Sequence, residues 1–113
     1  TVIIRRFRVF SVVRGCLILA VQADGANVVT IEGLTETGEI ADLQKNFAER
    51  NALQCGFCAP GMLMTVAELL RTTNLSNRRQ IREHISGNLC RCTGYHAIVD
   101  AVETTIRARH GDN

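Results

Sequence analysis

The sequence predicts a mainly α-helical domain, a compact bundle of four short helices preceded by a short β-rich segment. Three observations carry that expectation. Across residues 1–34 the apolar residues fall in short β-branched or aliphatic runs divided by turn signals. From Thr35 onward they recur at three- and four-residue intervals, the period of one helix face. The joints between these periodic stretches are short, which favours antiparallel neighbours.

Taken in order, residues 2–4, 9–13, 17–21 and 28–31 are the strand candidates. The turn-forming stretch Ala23-Asp-Gly-Ala-Asn27 predicts a hairpin between 17–21 and 28–31. A lone hairpin is marginal in water, so it must lean on something else. Ile40, Leu43, Phe47 and Ala48 mark one face of a first helix over 39–53. Pro60 suits the first turn of a second helix, where a missing N–H costs nothing, and Leu63, Val66, Ala67 and Leu70 form its apolar face up to Thr72 or Thr73. Asn77 and Gln80 form a capping box for a third helix carrying Ile81 and Ile85, which Gly87-Asn88 stops as a left-handed pair. Ile98, Val99, Val102 and Ile106 give the clearest stripe, on a fourth helix over 95–109. The change of period divides the chain into a β segment, 1–34, and a helical domain, 35–113.

Composition narrows the function. Aromatic residues make up 4% and Trp is absent, so the core is aliphatic. The net charge of +2 comes from Arg residues scattered among Asp and Glu, with no basic stripe, which gives no case for a nucleic-acid partner. Arg5, Arg6 and Arg8 precede an apolar stretch in the manner of a signal peptide, but Arg14 interrupts it. The run that remains, 16–21, is far short of the roughly 20 residues of a membrane span. The expectation is a chain without export signal or membrane insertion, in the reducing cytoplasm.

Four of the five cysteines form two tight pairs, Cys55-Gly-Phe-Cys58 and Cys90-Arg-Cys92, leaving Cys16 alone. Such close pairs make poor disulfide staples, because the ring they close is small and strained. Both pairs sit at helix junctions that a four-helix bundle brings to one end, which is what a single four-thiolate site requires. Four thiolates hold structural zinc or a [2Fe–2S] cluster. The C-x-C spacing is tighter than the usual zinc knuckle and leans toward iron. Gly56, Gly61, Gly87 and Gly94 clear room for backbone N–H groups near the sulfurs, or simply serve turns. A thiol–disulfide protein built on Cys55 and Cys58 is weaker, since no βαβ unit precedes them. His84, His96 and His110 lie in no motif and read as surface or packing residues.

Two long motifs, Leu53-Gln-Cys-Gly-Phe-Cys-Ala-Pro-Gly-Met-Leu-Met64 and Gly87-Asn-Leu-Cys-Arg-Cys-Thr-Gly-Tyr95, resemble the signature of the iron–sulfur (small) subunits of molybdenum hydroxylases. Intervening stretches agree, among them Leu19-Ala-Val-Gln-Ala-Asp-Gly25, Thr30-Ile-Glu-Gly-Leu34 and Ile98-Val-Asp-Ala-Val102, so the resemblance runs from about Cys16 to Arg107. It implies a four-helix [2Fe–2S]-binding bundle with Cys55, Cys58, Cys90 and Cys92 as ligands, behind part of a plant-ferredoxin-like β-grasp domain. It implies one [2Fe–2S] cluster in this chain, molybdopterin on a large partner subunit and FAD on a medium one. Gln54 matches the glutamine that hydrogen-bonds the pterin in this family, and Cys92 the ligand nearest the pterin. The implied role is electron transfer from the molybdopterin site toward FAD, as a subunit of an oxidoreductase with no catalytic residue of its own. The alternative reading is a four-cysteine zinc interaction module.

The resemblance fails at the N-terminal side. The family places three ferredoxin-type ligands ahead of a fourth near Cys16, whereas no cysteine precedes Cys16 here. Thr1-Val2 resembles the residues just after that ligand loop, and residues 4–15 are unlike the family. The expectation is an N-terminally incomplete ferredoxin-like segment in which Cys16 is a free, buried thiol.

Overall fold

A computed structural model describes residues 1–6, 9–72 and 77–110. Strand β1 (Val2–Arg6) lies between β2 (Val9–Val13) and β3 (Asn27–Val29), antiparallel to both. Ile3 stands opposite Val12 on one side and Val29 on the other, so β-branched residues line the middle of the sheet. Among the described residues five α-helices follow: α1 (Ile31–Glu36), α2 (Ala41–Glu49), α3 (Ala59–Thr72), α4 (Arg78–Ile85) and α5 (His96–Arg109).

The sheet and the helices share one core. Ile3 is fully buried in the same cluster as Leu43 and Phe47 of α2, Met62 and Val66 of α3, Ile81 and Ile85 of α4, and Ile98, Val99 and Val102 of α5. Polar ties reinforce that union. The Val12 amide donates to the Glu68 carboxylate of α3 at 2.7 Å, giving an edge-strand donor a partner within the fold. The Arg71 guanidinium stacks over the Phe10 ring, 4.1 Å from its centroid. Arg14 reaches from the end of β2 to donate to the Gly87 carbonyl after α4. A Cβ on Gly87 would stand 2.8 Å from that guanidinium, so this glycine permits a close approach.

The helix expectations fare better than the strand ones. The stripe of α5 is buried and its span is 96–109. The capping box before α4 is present, with the Asn77 side chain accepting from the Gln80 amide at 2.8 Å and Gln80 returning the bond at 3.0 Å. On α3, Leu63, Val66 and Ala67 are buried and Leu70 partly so.

Several expectations are corrected. The hairpin between 17–21 and 28–31 does not form. Residues 15–17 and 20–23 are short 3₁₀ turns, and β3 pairs with β1 instead. Leu17, Leu19 and Val21 stay 68–80% exposed, with none of the described residues covering them. Cys16 is exposed on the first of these turns, not buried. A fifth helix, α1, straddles the period change assigned to residue 34 and buries Leu34. The helix foreseen over 39–53 is shorter, and Ala48 is exposed. Neither Gly87 nor Asn88 adopts positive φ; the residues that do so here include Asn51, Gly94 and Tyr95.

Candidate metal centre

The two cysteine loops are shaped by the helix ends that flank them. Helix α2 stops in a Schellman turn: Asn51 takes φ 58°, its amide donates to Ala48 O, and the Ala52 amide reaches back to Phe47 O at 2.9 Å. Asn tolerates this left-handed geometry better than most side chains. Ala52 is thereby buried and the chain turns toward Cys55. Cys58 closes that loop, its carbonyl accepting from the Met62 amide at 3.0 Å to start α3.

The second loop runs from the end of α4 to the start of α5. Asn88 is buried at its root, donating to the Thr65 hydroxyl of α3 at 2.8 Å. The Tyr95 phenol accepts from the Cys90 amide at 2.9 Å and donates to Asn88 O at 3.2 Å. Gly94 and Tyr95 both have positive φ, 64° and 72°, which folds the tyrosine back over its own loop. For a tyrosine that conformation carries strain, and its hydrogen bonds offset it.

These two loops bring Cys55, Cys58, Cys90 and Cys92 to one pocket of about 420 Å³, completed by Phe57, Leu89, Arg91 and Tyr95. The thiols meet in pairs that cross between loops. Across the loops Cys92 shifts the acidity of Cys55, and Cys58 that of Cys90. Each pair has an acidic and a basic member. Burial, then donation to Cys90, pushes the Cys58 thiol up to about 11. Burial also works against the Cys90 thiolate, but hydrogen bonds from Thr93, Cys58 and the Cys92 amide outweigh it and bring the thiol down to about 7. The Phe57 amide, then Cys92, lowers Cys55, while donation to Cys55 raises Cys92. The acidic member of each pair, Cys90 and Cys55, gives up its proton the more readily and is the sulfur better prepared to bind metal.

Sequence reasoning put the four cysteines at one end, and the fold gathers them there. Gln54 is exposed beside Cys55 and is not among the pocket-lining residues. His96 and His110 are exposed. His84 is partly buried against α3, 3.0 Å from Thr65 O and 3.4 Å from the Glu68 carboxylate. Sequence reading missed Tyr95, whose role depends on a left-handed backbone that no pattern announces. It also missed Phe57 and Leu89, which flank the thiols while 93% and 84% exposed.

The donor set fits an iron–sulfur centre. Four soft thiols line one pocket, two from each loop, and a [2Fe–2S] cluster takes two thiolates on each iron. Among the described residues, no three His, Cys, Asp or Glu side chains form a group for a single metal ion.

Comparison with known proteins agrees with that chemistry. Residues 30–103 match the [2Fe-2S] binding domain family. Caffeine dehydrogenase subunit gamma from Pseudomonas sp. (strain CBB1) is 49% identical over 94 residues, covering 80% of this chain and 56% of that protein. The nicotine 6-hydroxylase small subunit of Paenarthrobacter nicotinovorans is 48% identical over 92 residues, covering 81% and 55%. In the solved structure of quinoline 2-oxidoreductase from Pseudomonas putida 86, a chain superposes with a TM-score of 0.76 at 45% identity, covering 89% of this chain and 64% of that one. The chain thus spans little more than half the length of the curated relatives it matches.

Proposed function

The chain belongs to the [2Fe–2S] binding domain family of the iron–sulfur subunits of molybdenum hydroxylases, and from that premise we propose that it is an electron-transfer subunit of such an oxidoreductase. The observation that carries the proposal is the meeting of Cys55, Cys58, Cys90 and Cys92 in one pocket, two by two across two loops. These four residues would hold one [2Fe–2S] cluster, which supplies one-electron transfer when bound.

The rest of the work belongs to the protein's own groups. The Schellman turn at Asn51 and the phenol of Tyr95 fix the two loops that carry the sulfurs. Thr93 and the Phe57 amide place hydrogen bonds on Cys90 and Cys55. In this reading no residue of the chain acts as acid, base or nucleophile, and the protein contributes position and potential.

Partners follow from the same reading. Phe57 and Leu89 leave apolar surface exposed around the pocket, with Leu53 nearby in sequence and 41% exposed. Apolar side chains gathered at a functional pocket suit a protein contact better than open solvent. We assign that contact to a large molybdopterin-bearing subunit, with Gln54 and Cys92 on the pterin side, and FAD to a medium subunit farther along the path. The three strands are read as part of a ferredoxin-like β-grasp unit, and residues 35–113 as the helical cluster domain. Among the described residues, no helix is long and apolar enough to cross a membrane.

Iron, sulfide and zinc analysis of protein prepared without air, with a visible spectrum, tests the reading. Two irons and two sulfides per chain are expected. One zinc with no iron, after reconstitution with iron and sulfide, would sink the electron-transfer role.

A further inference from the structure

The loop that carries Cys90 and Cys92 contains a directed chain of hydrogen bonds. The Tyr95 amide donates to the Thr93 hydroxyl oxygen at 3.1 Å, and that hydroxyl donates to Cys90 Sγ, also at 3.1 Å. The direction is fixed by counting protons. The amide can only donate and a cluster-ligating Cys90 thiolate can only accept, so the Thr93 oxygen accepts from the amide and spends its single proton on the sulfur. Bonds in such a chain polarise one another, which strengthens the last one. Among the described residues, Thr93 is the one whose side-chain hydroxyl is aimed at any of the four pocket sulfurs.

Reduction of a [2Fe–2S] centre adds one electron and so adds negative charge to its sulfur ligands. A donor at one of those sulfurs stabilises the reduced form more than the oxidised form. We propose that Thr93 raises the reduction potential of the centre by donating its hydroxyl proton to Cys90 Sγ. The inference rests on the four-cysteine cluster reading and adds to it a residue that tunes how readily the centre accepts an electron. In the step concerned one electron enters from an external reductant, no bond is made or broken, and the Thr93 proton remains on its oxygen. Thr93 is partly buried and Tyr95 folds over the loop, so solvent does not readily replace the bond once it is lost.

The test uses the full 113-residue chain, reconstituted anaerobically with iron and sulfide and titrated with dithionite while the reduced signal is followed by electron paramagnetic resonance. Thr93→Val keeps the shape and removes the donor. It is expected to lower the reduced-to-oxidised ratio at a fixed potential about tenfold, which is ~59 mV for one electron. Iron content should stay at the parent's value, and Thr93→Ser should restore the parent potential. An iron-loaded Thr93→Val protein with the parent potential would overturn the proposal, as would failure of Thr93→Ser to restore it. If Thr93→Val does not hold iron, Thr93→Ala and Thr93→Ser are compared in its place. Loss of iron from all three variants would make Thr93 a structural loop residue and overturn the tuning role. A parent chain that takes up no iron overturns the cluster reading itself, a result plainly different from an unmoved potential.

Discussion

Arg109 grips Asp42 with two parallel hydrogen bonds, Nε to one carboxylate oxygen at 2.8 Å and a terminal nitrogen to the other at 2.7 Å, across 67 positions of sequence. The same guanidinium also donates to Glu39 O at 2.6 Å. The last turn of α5 is thus tied to the first turn of α2, and the two helices pack along their length.

That pair predicts a pH dependence. The Arg109 hydrogen bond holds the Asp42 carboxyl below its ordinary value near 3.8. A depressed carboxyl contributes stability at pH values above its unfolded pKa, and the contribution is lost as pH falls through the folded one. Acid should therefore weaken the fold progressively below about pH 4. Asp42→Asn should flatten that limb and cost about 0.5–1 kcal/mol at neutral pH, a figure kept small by solvent around the pair. Urea midpoints at pH 7 and pH 3 check both parts; an acid limb unchanged in Asp42→Asn would assign it to other carboxylates.

Among the described residues Phe47 is the largest fully buried side chain, on α2, which packs against α5. Phe47→Ala should cost about 3–5 kcal/mol through lost transfer energy and a cavity. In a chain of 113 residues that is a large share of total stability. Thermal unfolding followed by circular dichroism is the measurement, and a loss under 1 kcal/mol would mean that the site collapses around the gap.

At the start of α4 the reciprocal bonds between Asn77 and Gln80 satisfy two orphan amides. Asn77→Ala should destabilise by about 1 kcal/mol, whereas Asn77→Asp should be nearly neutral. Chemical denaturation of the two variants side by side separates a capping effect from a general loss of loop structure.

Cysteine substitutions divide by location. Cys58→Ser removes one of four thiols at the pocket and should abolish iron retention. Cys16→Ser alters an exposed thiol on a 3₁₀ turn and should leave iron content and spectrum unchanged. Equal loss of iron from both variants would place Cys16 in a metal site and contradict the four-cysteine assignment.

How much of this was legible in sequence depends on what each element buries. The stripe of α5 and the capping box of α4 were readable because local pattern and final environment agree there. Residues 17–21 form an aliphatic run of the kind strands use, yet Leu17, Leu19 and Val21 stay exposed among the described residues, so pattern without partner misled. Helix α1 was missed because six residues, with Ile31 and Leu34 as their apolar pair, are too few to show a period. The cysteine pairs were legible by spacing. The Thr93 and Tyr95 bonds around them were not, since they depend on two consecutive left-handed residues.

Helix α3 separates two kinds of territory. Cys58 stands at its start, and Arg71 near its end pairs with Glu39 at 2.6 Å, beside the Asp42–Arg109 clasp. Its 14 residues span about 20 Å. The charged knot at one pole and the sulfur pocket at the other share no side chain. Changes that harden the protein at the first pole should therefore add to changes that adjust the second, without interference. For an engineer the molecule offers two independent dials, one for endurance and one for voltage.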